Sequence, residues 1–250
     1  MLRFIVFILF LFLPCTLFLG GKSSDSTPDS AERAAASDVE AYASLYRSMQ
    51  LEGVVNWKAF RQAVAGYYKI DNRKREVLTL IDFSRPSTAK RLFVFDMRER
   101  KVLFSSVVSH GKNSGDNYAT SFSNEYGSYK SSLGFYLTES TYQGKNGYSL
   151  ILNGLEKGIN DRAKERAIVV HGANYCSPSV AVSTGRLGRS FGCPALPPSL
   201  AKPIINTIKD GTLLYIYAND KEYLSQSTIL STGRSISPNS IIALNSLIRE

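Results

Sequence analysis

The run Gly185-Arg186-Leu187-Gly188-Arg189-Ser190-Phe191-Gly192-Cys193-Pro194 sets a cysteine among glycines and arginines rather than among apolar residues. Backbone N–H groups available in such a turn, and cations beside it, favour the thiolate over the thiol, which is how an attacking cysteine is prepared. The N–H groups of Gly192 and Cys193 are expected to face the oxygen of a tetrahedral intermediate, the largest electrostatic contribution in acyl transfer. Pro194 lacks an N–H and ends local strand pairing. An inert structural cysteine would sit in an apolar run, and Cys193 does not.

Upstream, both histidines end an apolar run and precede a glycine: Val107-Val108-Ser109-His110-Gly111 and Ile168-Val169-Val170-His171-Gly172. A strand that delivers an imidazole at its end, with glycine next to it, lets the chain turn and a substrate backbone approach. These runs belong to a series of short apolar, β-branched segments at 77–83, 91–97, 102–108, 133–139, 148–152, 167–170 and 212–217. Short strands with turns between them predict a mainly β domain, a sandwich or barrel. One helix is expected from Ser199 through Lys209 with Gly211 as its stop, and a shorter one between Leu155 and Arg166.

Ahead of the strands the period is helical. Ser37-Asp38-Val39-Glu40 has the form of a capping box, and Val39, Tyr42, Leu45, Tyr46 and Met49 share one helical face until Gly53. Asn56 is placed to cap a second helix bearing Trp57, Phe60, Val64, Tyr67 and Tyr68. A helical hairpin over 37–72 is therefore expected on a β domain over 73–223. Its aromatic stripe either packs into the core or lines a glycan groove.

Met1-Leu2-Arg3 and the apolar run Phe4 to Leu13 read as an export signal over 1–21. Phe4 to Leu19 falls short of the roughly 20 residues of a spanning helix, so cleavage near Gly20 is expected, with an uncleaved membrane anchor as the alternative. Residues 22–36, rich in Ser, Asp and Ala, read as a flexible linker. In the tail, 224–250, Ser237 and Pro238 start a small helix to Ile248. The 250 residues carry a formal net charge of +9, spread without a basic block. That suits an anionic polymer such as cell wall, or simply solubility, and offers nucleic acid no compact basic motif. Three Cys and two His are too few for a disulfide framework or a four-ligand zinc site, so any His or Cys chemistry must use very few residues.

His171-Gly172 followed after seventeen residues by Ser190-Phe191-Gly192-Cys193 resembles the HG…SxGC signature of the murein L,D-transpeptidase catalytic domain family, with its YkuD-like fold. Gly188 to Ala195 is similar to the branch carrying Gly-Arg-Ser-x-Gly-Cys-Pro-Ala. The resemblance extends over Ser109-His110-Gly111, Phe122-Ser123-Asn124, Ser132-Leu133-Gly134-Phe135-Tyr136 and His171-Gly172-Ala173-Asn174-Tyr175. It implies a β sandwich or barrel whose Cys193 attacks the bond between diaminopimelate and the terminal D-Ala of a peptidoglycan stem tetrapeptide. An amine of a neighbouring stem, a D-amino acid or a lipoprotein then resolves the thioester, the first giving a 3–3 cross-link. By the same resemblance His171 is the base or ion-pair partner, Ser190 positions the imidazole or the substrate, and Gly192 with Cys193 supplies oxyanion N–H groups. Gly172 and Tyr175 fall at the substrate side of the site. Acylation of the cysteine by carbapenems, a periplasmic or cell-envelope location and catalysis without a metal or another cofactor are implied as well.

Two positions depart from the larger branch of the family. Ala195 stands where that branch has Arg, so Arg189 or Arg186 is the candidate anchor for a donor carboxylate; Ser131-Ser132-Leu133-Gly134 replaces Thr-Pro-x-Gly. The polar stretch from Ser109 to Ser132 has the length of a functional lid, and His110 within it either takes a proton from the incoming amine or holds the loop. Cys176 is a candidate disulfide partner of Cys193. Rival readings are an L,D-carboxypeptidase using the same thioester and a wall-binding module without catalysis.

Overall fold

The computed structural model describes residues 30–231. The expected export signal, the start of the linker and the expected helix after Ser237 lie outside the described residues. Helix α1 spans Ser30–Ser48, beginning ahead of the expected cap at Ser37. Ala31, Ala34, Ala35 and Ala36 carry the highest helical propensity of any residue, so 30–36 is helix rather than linker. Val39 is 39% exposed, and the buried face of α1 begins at Ala41 and Tyr42 and continues through Leu45, Tyr46 and Met49. Among the described residues no helix is long and apolar enough to cross a membrane.

Helix α2 spans Trp57–Lys69, and Asn56 caps it by accepting from the N–H groups of Lys58 and Ala59 at 2.9 and 3.3 Å. Phe60 meets Tyr46 of α1 at 5.3 Å between ring centroids and Phe95 of the sheet edge-on at 5.7 Å. The aromatic stripe is thus core, not an open glycan groove. Gly66 lets α2 lie against the ring of Phe135, which any side chain at that position would strike.

The strands are β1 (Val77–Asp82), β2 (Leu92–Asp96), β3 (Lys101–Ser106), β4 (Gly134–Gly144), β5 (Gly147–Gly154), β6 (Val169–Gly172), β7 (Ala195–Leu196) and β8 (Leu213–Tyr217). They form one eight-stranded sheet in the order β3-β2-β1-β8-β4-β5-β6-β7. Pairs β1/β8 and β6/β7 are parallel, and the other pairs antiparallel. β1 and β8 are buried at every position, which requires cover on both faces and explains why β8 is apolar throughout and β1 carries only Thr79 and Asp82 as polar residues. Beyond β3 the chain reaches the far edge of the sheet: Ser109 N donates to Ala195 O at 2.8 Å, and Ser190 N to His110 O at 2.9 Å. The sheet is therefore a nearly closed barrel.

Every expected strand is present with shifted ends, and β7 adds a two-residue strand too short to show a pattern. Helix α4 (Pro198–Ile208) fulfils the expectation at Ser199, with Gly211 at φ +92° beyond it. The short helix expected between Leu155 and Arg166 is instead a series of turns. Asn160 accepts from Glu156 N at 2.9 Å and donates to Leu133 O and Phe135 O, while the Glu156 carboxylate accepts from Phe135 N at 2.8 Å. Side chains that bind backbone in this way compete with helix formation. Two short helices were not expected: α3 (Pro178–Thr184), capped by Ser177 and ended by Gly185 at φ +73°, and α5 (Lys221–Gln226), capped by Asp220. Ile229 and Leu230, in the expected tail, pack against the core.

Phe135 is fully buried and stacked on Tyr215 at 4.2 Å, so it has nowhere to retreat. Gly66→Ala is expected to lower stability by about 1–3 kcal/mol through overpacking; a urea midpoint equal to wild type would show that the helix shifts without loss.

Candidate active site

Parallel pairing of β6 with β7 sets His171 beside Ala195, two residues after Cys193. The Cys193 sulfur accepts from Val169 N at 3.5 Å and lies 3.6 Å from Ala167 O, within reach of its own S–H. Cys193 is only 8% exposed, and burial pushes its thiol above the ordinary range, against the opposing pull of the Val169 N–H and the Arg166 charge. The resting group is a thiol, not the thiolate expected from the Gly/Arg run. The reason is that the arginines of that run face elsewhere. Arg186 Nε lies 2.8 Å and Arg189 Nη1 3.5 Å from Asp116 Oδ1, and Arg189 also donates to Lys112 O and Gly115 O. The two candidate carboxylate anchors are thus engaged with the loop over 109–132.

His171 Nδ1 lies 2.9 Å from Gly172 O. A carbonyl only accepts, so the ring proton sits on Nδ1 and Nε2 keeps a lone pair. Burial lowers the pKa of this imidazole, which holds it neutral. Ser190 Oγ donates to Cys193 O at 2.6 Å and accepts from Gly192 N at 3.0 Å, so it braces the turn. This contact commits the Gly192 N–H that was expected to serve an oxyanion. The Cys193 N–H has no partner among the described residues. Gly192 itself has φ +125°, with Lys130 O and the Ile168 side chain where a Cβ would stand. Gly188 is required by the Tyr175 side chain packed against it, and Tyr175 lies near enough to Cys193 and Cys176 for their charge, after burial, to raise its pKa. Gly172 lets α4 approach through Ala201.

The stretch from Ser109 to Ser132 is hydrogen-bonded into the wall of the site. Ser131 Oγ accepts from Gly111 N and donates to Gly192 O, both at 3.0 Å, and Ser114 Oγ accepts from Ser131 N at 2.8 Å. His110 is 1% exposed; its Nδ1 lies 2.8 Å from Arg91 Nη2 and its Nε2 3.4 Å from Gly115 O. Arg91 donates in addition to Val108 O and Arg85 O and stacks on Phe83. Burial first, then the Arg91 charge, drives the His110 pKa down to about 4. His110 is thus buried and bonded to Arg91 and to the loop backbone. Cys176 and Cys193 are both free, buried thiols rather than a disulfide, and burial raises Cys176 to about 11.

Two residues escaped the sequence reading. Arg91 opens a strand and looks like an edge charge, and Arg166 carries no motif. Arg166 reaches under the wall loop and donates to Ser123 O, Ser132 Oγ, Ser128 Oγ and Lys130 O. Its guanidinium is also the cation that acts on Cys193.

A nearly closed, mainly β barrel with few helices matches the YkuD-like fold. The model of the L,D-transpeptidase catalytic domain matches residues 51–217, and the chain belongs to that family. Solved structures that it resembles include the L,D-transpeptidase from Mycobacterium smegmatis (17% identity, 57% of this chain and 59% of that chain covered, TM-score 0.36). Others are the Mycobacterium tuberculosis L,D-transpeptidase 1 (15% identity, 57% and 61% covered, TM-score 0.32) and the helical cell shape determining protein from Campylobacter jejuni (14% identity, 64% and 56% covered, TM-score 0.38). This chain spans about three-fifths of the length of those chains. No curated protein matches it.

The unfolded chain protonates His110 near 6.5, the folded one only near 4. Between these values the unfolded state binds more protons, so the contribution is full above pH 6.5 and is lost as pH falls toward 4. The stability difference between wild type and His110→Gln, which keeps both hydrogen bonds, should change by about 3 kcal/mol over that window; a pH-independent difference in urea unfolding would contradict it. Arg166→Met should move the alkylation profile of Cys193 to higher pH, and an unmoved profile by iodoacetamide kinetics would remove Arg166 from the electrostatics of the thiol.

Proposed function

We propose that the protein is a peptidoglycan L,D-transpeptidase acting through a Cys193 thioester on the diaminopimelate to D-Ala bond of stem tetrapeptides, at the periplasmic or cell-envelope side of the membrane. The observation that carries this reading is the His171 tautomer: Gly172 O holds the proton on Nδ1, leaving Nε2 as the base on the strand that pairs next to the cysteine. Thiol and imidazole are both neutral at rest, so proton transfer accompanies attack instead of preceding it. Cys193 Sγ adds to the carbonyl carbon of diaminopimelate as its proton passes to His171 Nε2. The tetrahedral oxyanion meets the Cys193 N–H, the donor left open when Ser190 took that of Gly192. Collapse breaks the C–N bond, and D-Ala leaves with the proton returned by the imidazole. The amine of a second stem then adds to the thioester, giving its proton to Nε2 and restoring the thiol. A D-amino acid or a lipoprotein amine fits the same second step.

Water in place of the amine would give the L,D-carboxypeptidase outcome from the same residues. Mass spectrometry of muropeptides incubated with wild type and with Cys193→Ala tests the reading. Wild type is expected to yield 3–3 linked dimers and the variant none. Tripeptides alone would replace cross-linking by hydrolysis, and identical products from both proteins would leave only a wall-binding module.

A further inference from the structure

The cations around the Cys193 turn are nearly all spent. Arg186 and Arg189 are held by Asp116, Arg166 by the wall loop, Arg91 by His110 and backbone carbonyls, and Lys130 Nζ donates to Ser121 Oγ at 2.7 Å. Lys112 is different. Its backbone N–H is fixed on Ser190 O at 2.8 Å, and its ammonium stands 4.3 Å from the ring centre of Tyr129 and 4.7 Å from that of Phe191. The two rings touch at 4.8 Å between centroids and are 41% and 67% exposed, although Phe191 is only two residues from the buried Cys193. Among the described residues no carboxylate pairs with Lys112. A cation held by ring faces is positioned in advance yet keeps its outer side for an anion.

We propose that Lys112, seated on Tyr129 and Phe191, is the anchor for the C-terminal carboxylate of the donor peptide, the role that sequence had offered to Arg189 or Arg186. This rests on the transpeptidase reading above. The terminal D-residue of a tetrapeptide lies one residue past the scissile carbonyl, and Phe191, whose ring carries the ammonium at 4.7 Å, lies two residues before the attacking cysteine, within two Cα steps of about 3.8 Å each. Gly111, next to Lys112, packs against Gly192 so closely that a Cβ there would stand 3.0 Å from Gly192 Cα, which ties the lysine segment to the turn. The rings then cover the side of the bound D-residue, and the ammonium meets its carboxylate.

Calorimetry on the full chain carrying Cys193→Ala, with the stem tetrapeptide ending in free D-Ala and the same peptide ending in D-Ala amide, tests the anchor. Loss of one charge-assisted contact should weaken the amide about tenfold. Adding Lys112→Gln, a change at an exposed side chain, should bring the acid down to the amide and leave the amide unchanged. An amide penalty that survives Lys112→Gln, equal binding of both peptides with Lys112 present, or no binding of either overturns the inference. Release of D-Ala by wild type reports the activity separately: a Lys112-dependent preference for the acid without any release would sink the transpeptidase reading and leave the anchor standing.

Discussion

The hydrogen bonds between Ser109 and Ala195, and between His110 and Ser190, join segments from opposite ends of an eight-stranded sheet. An open sheet would leave the extension of β3 and the short strand β7 as free edges with unpaired backbone groups. Their closure places the turn from Ser190 to Cys193 between two walls, β6 on one side and the loop after β3 on the other. Arg91 serves the same seam from inside, because its guanidinium satisfies Val108 O and the His110 ring at the point where the chain crosses. A site assembled at a seam needs many short polar contacts, and here serines provide them: Ser131, Ser114 and Ser132 each link stretches of the wall loop or the turn.

Burial at that seam determines the acid–base state of the site. Cys193 and His171 are both desolvated, and desolvation disfavours the charged form of each. Their pKa values therefore move apart, the thiol up and the imidazole down, and the resting pair is neutral. A neutral buried thiol is protected from adventitious oxidation. The Arg166 charge acts against this shift without reversing it, since the same guanidinium is itself half-desolvated and spread over four acceptors of the wall loop.

Much of the architecture could be read before the structure. Asn56 announced its helix because a capping side chain is a local device, and the mainly apolar runs of β1 and β8 announced themselves because burial on both faces favours apolar residues at successive positions. Short elements gave no such sign. β7 has two residues, and α3 and α5 are too brief for a helical period to emerge. The turns from Leu155 to Arg166 looked helical in composition, but Glu156 and Asn160 bind the backbone of β4, a contact that no local pattern reveals. The alanines before Ser37 sit in a polar, Ser- and Asp-rich stretch of linker composition, yet their propensity is helical and α1 begins at Ser30.

Sequence alone determined the spacing that carries the resemblance to the family, in the glycines at 188 and 192, Ser190, Cys193 and His171, and short range along the chain is what spacing records. Tertiary structure alone decided which partners each of them has. Ser190, expected to position the imidazole or the substrate, bonds within its own turn, and the two arginines of the motif pair with Asp116. His110 became a buried strut. The reason is physical: the charge state and free valence of a polar group depend on how far it is desolvated and on which partners reach it first. Those partners, Arg91, Asp116, Ser131 and Arg166, come from parts of the chain that meet only when the barrel closes.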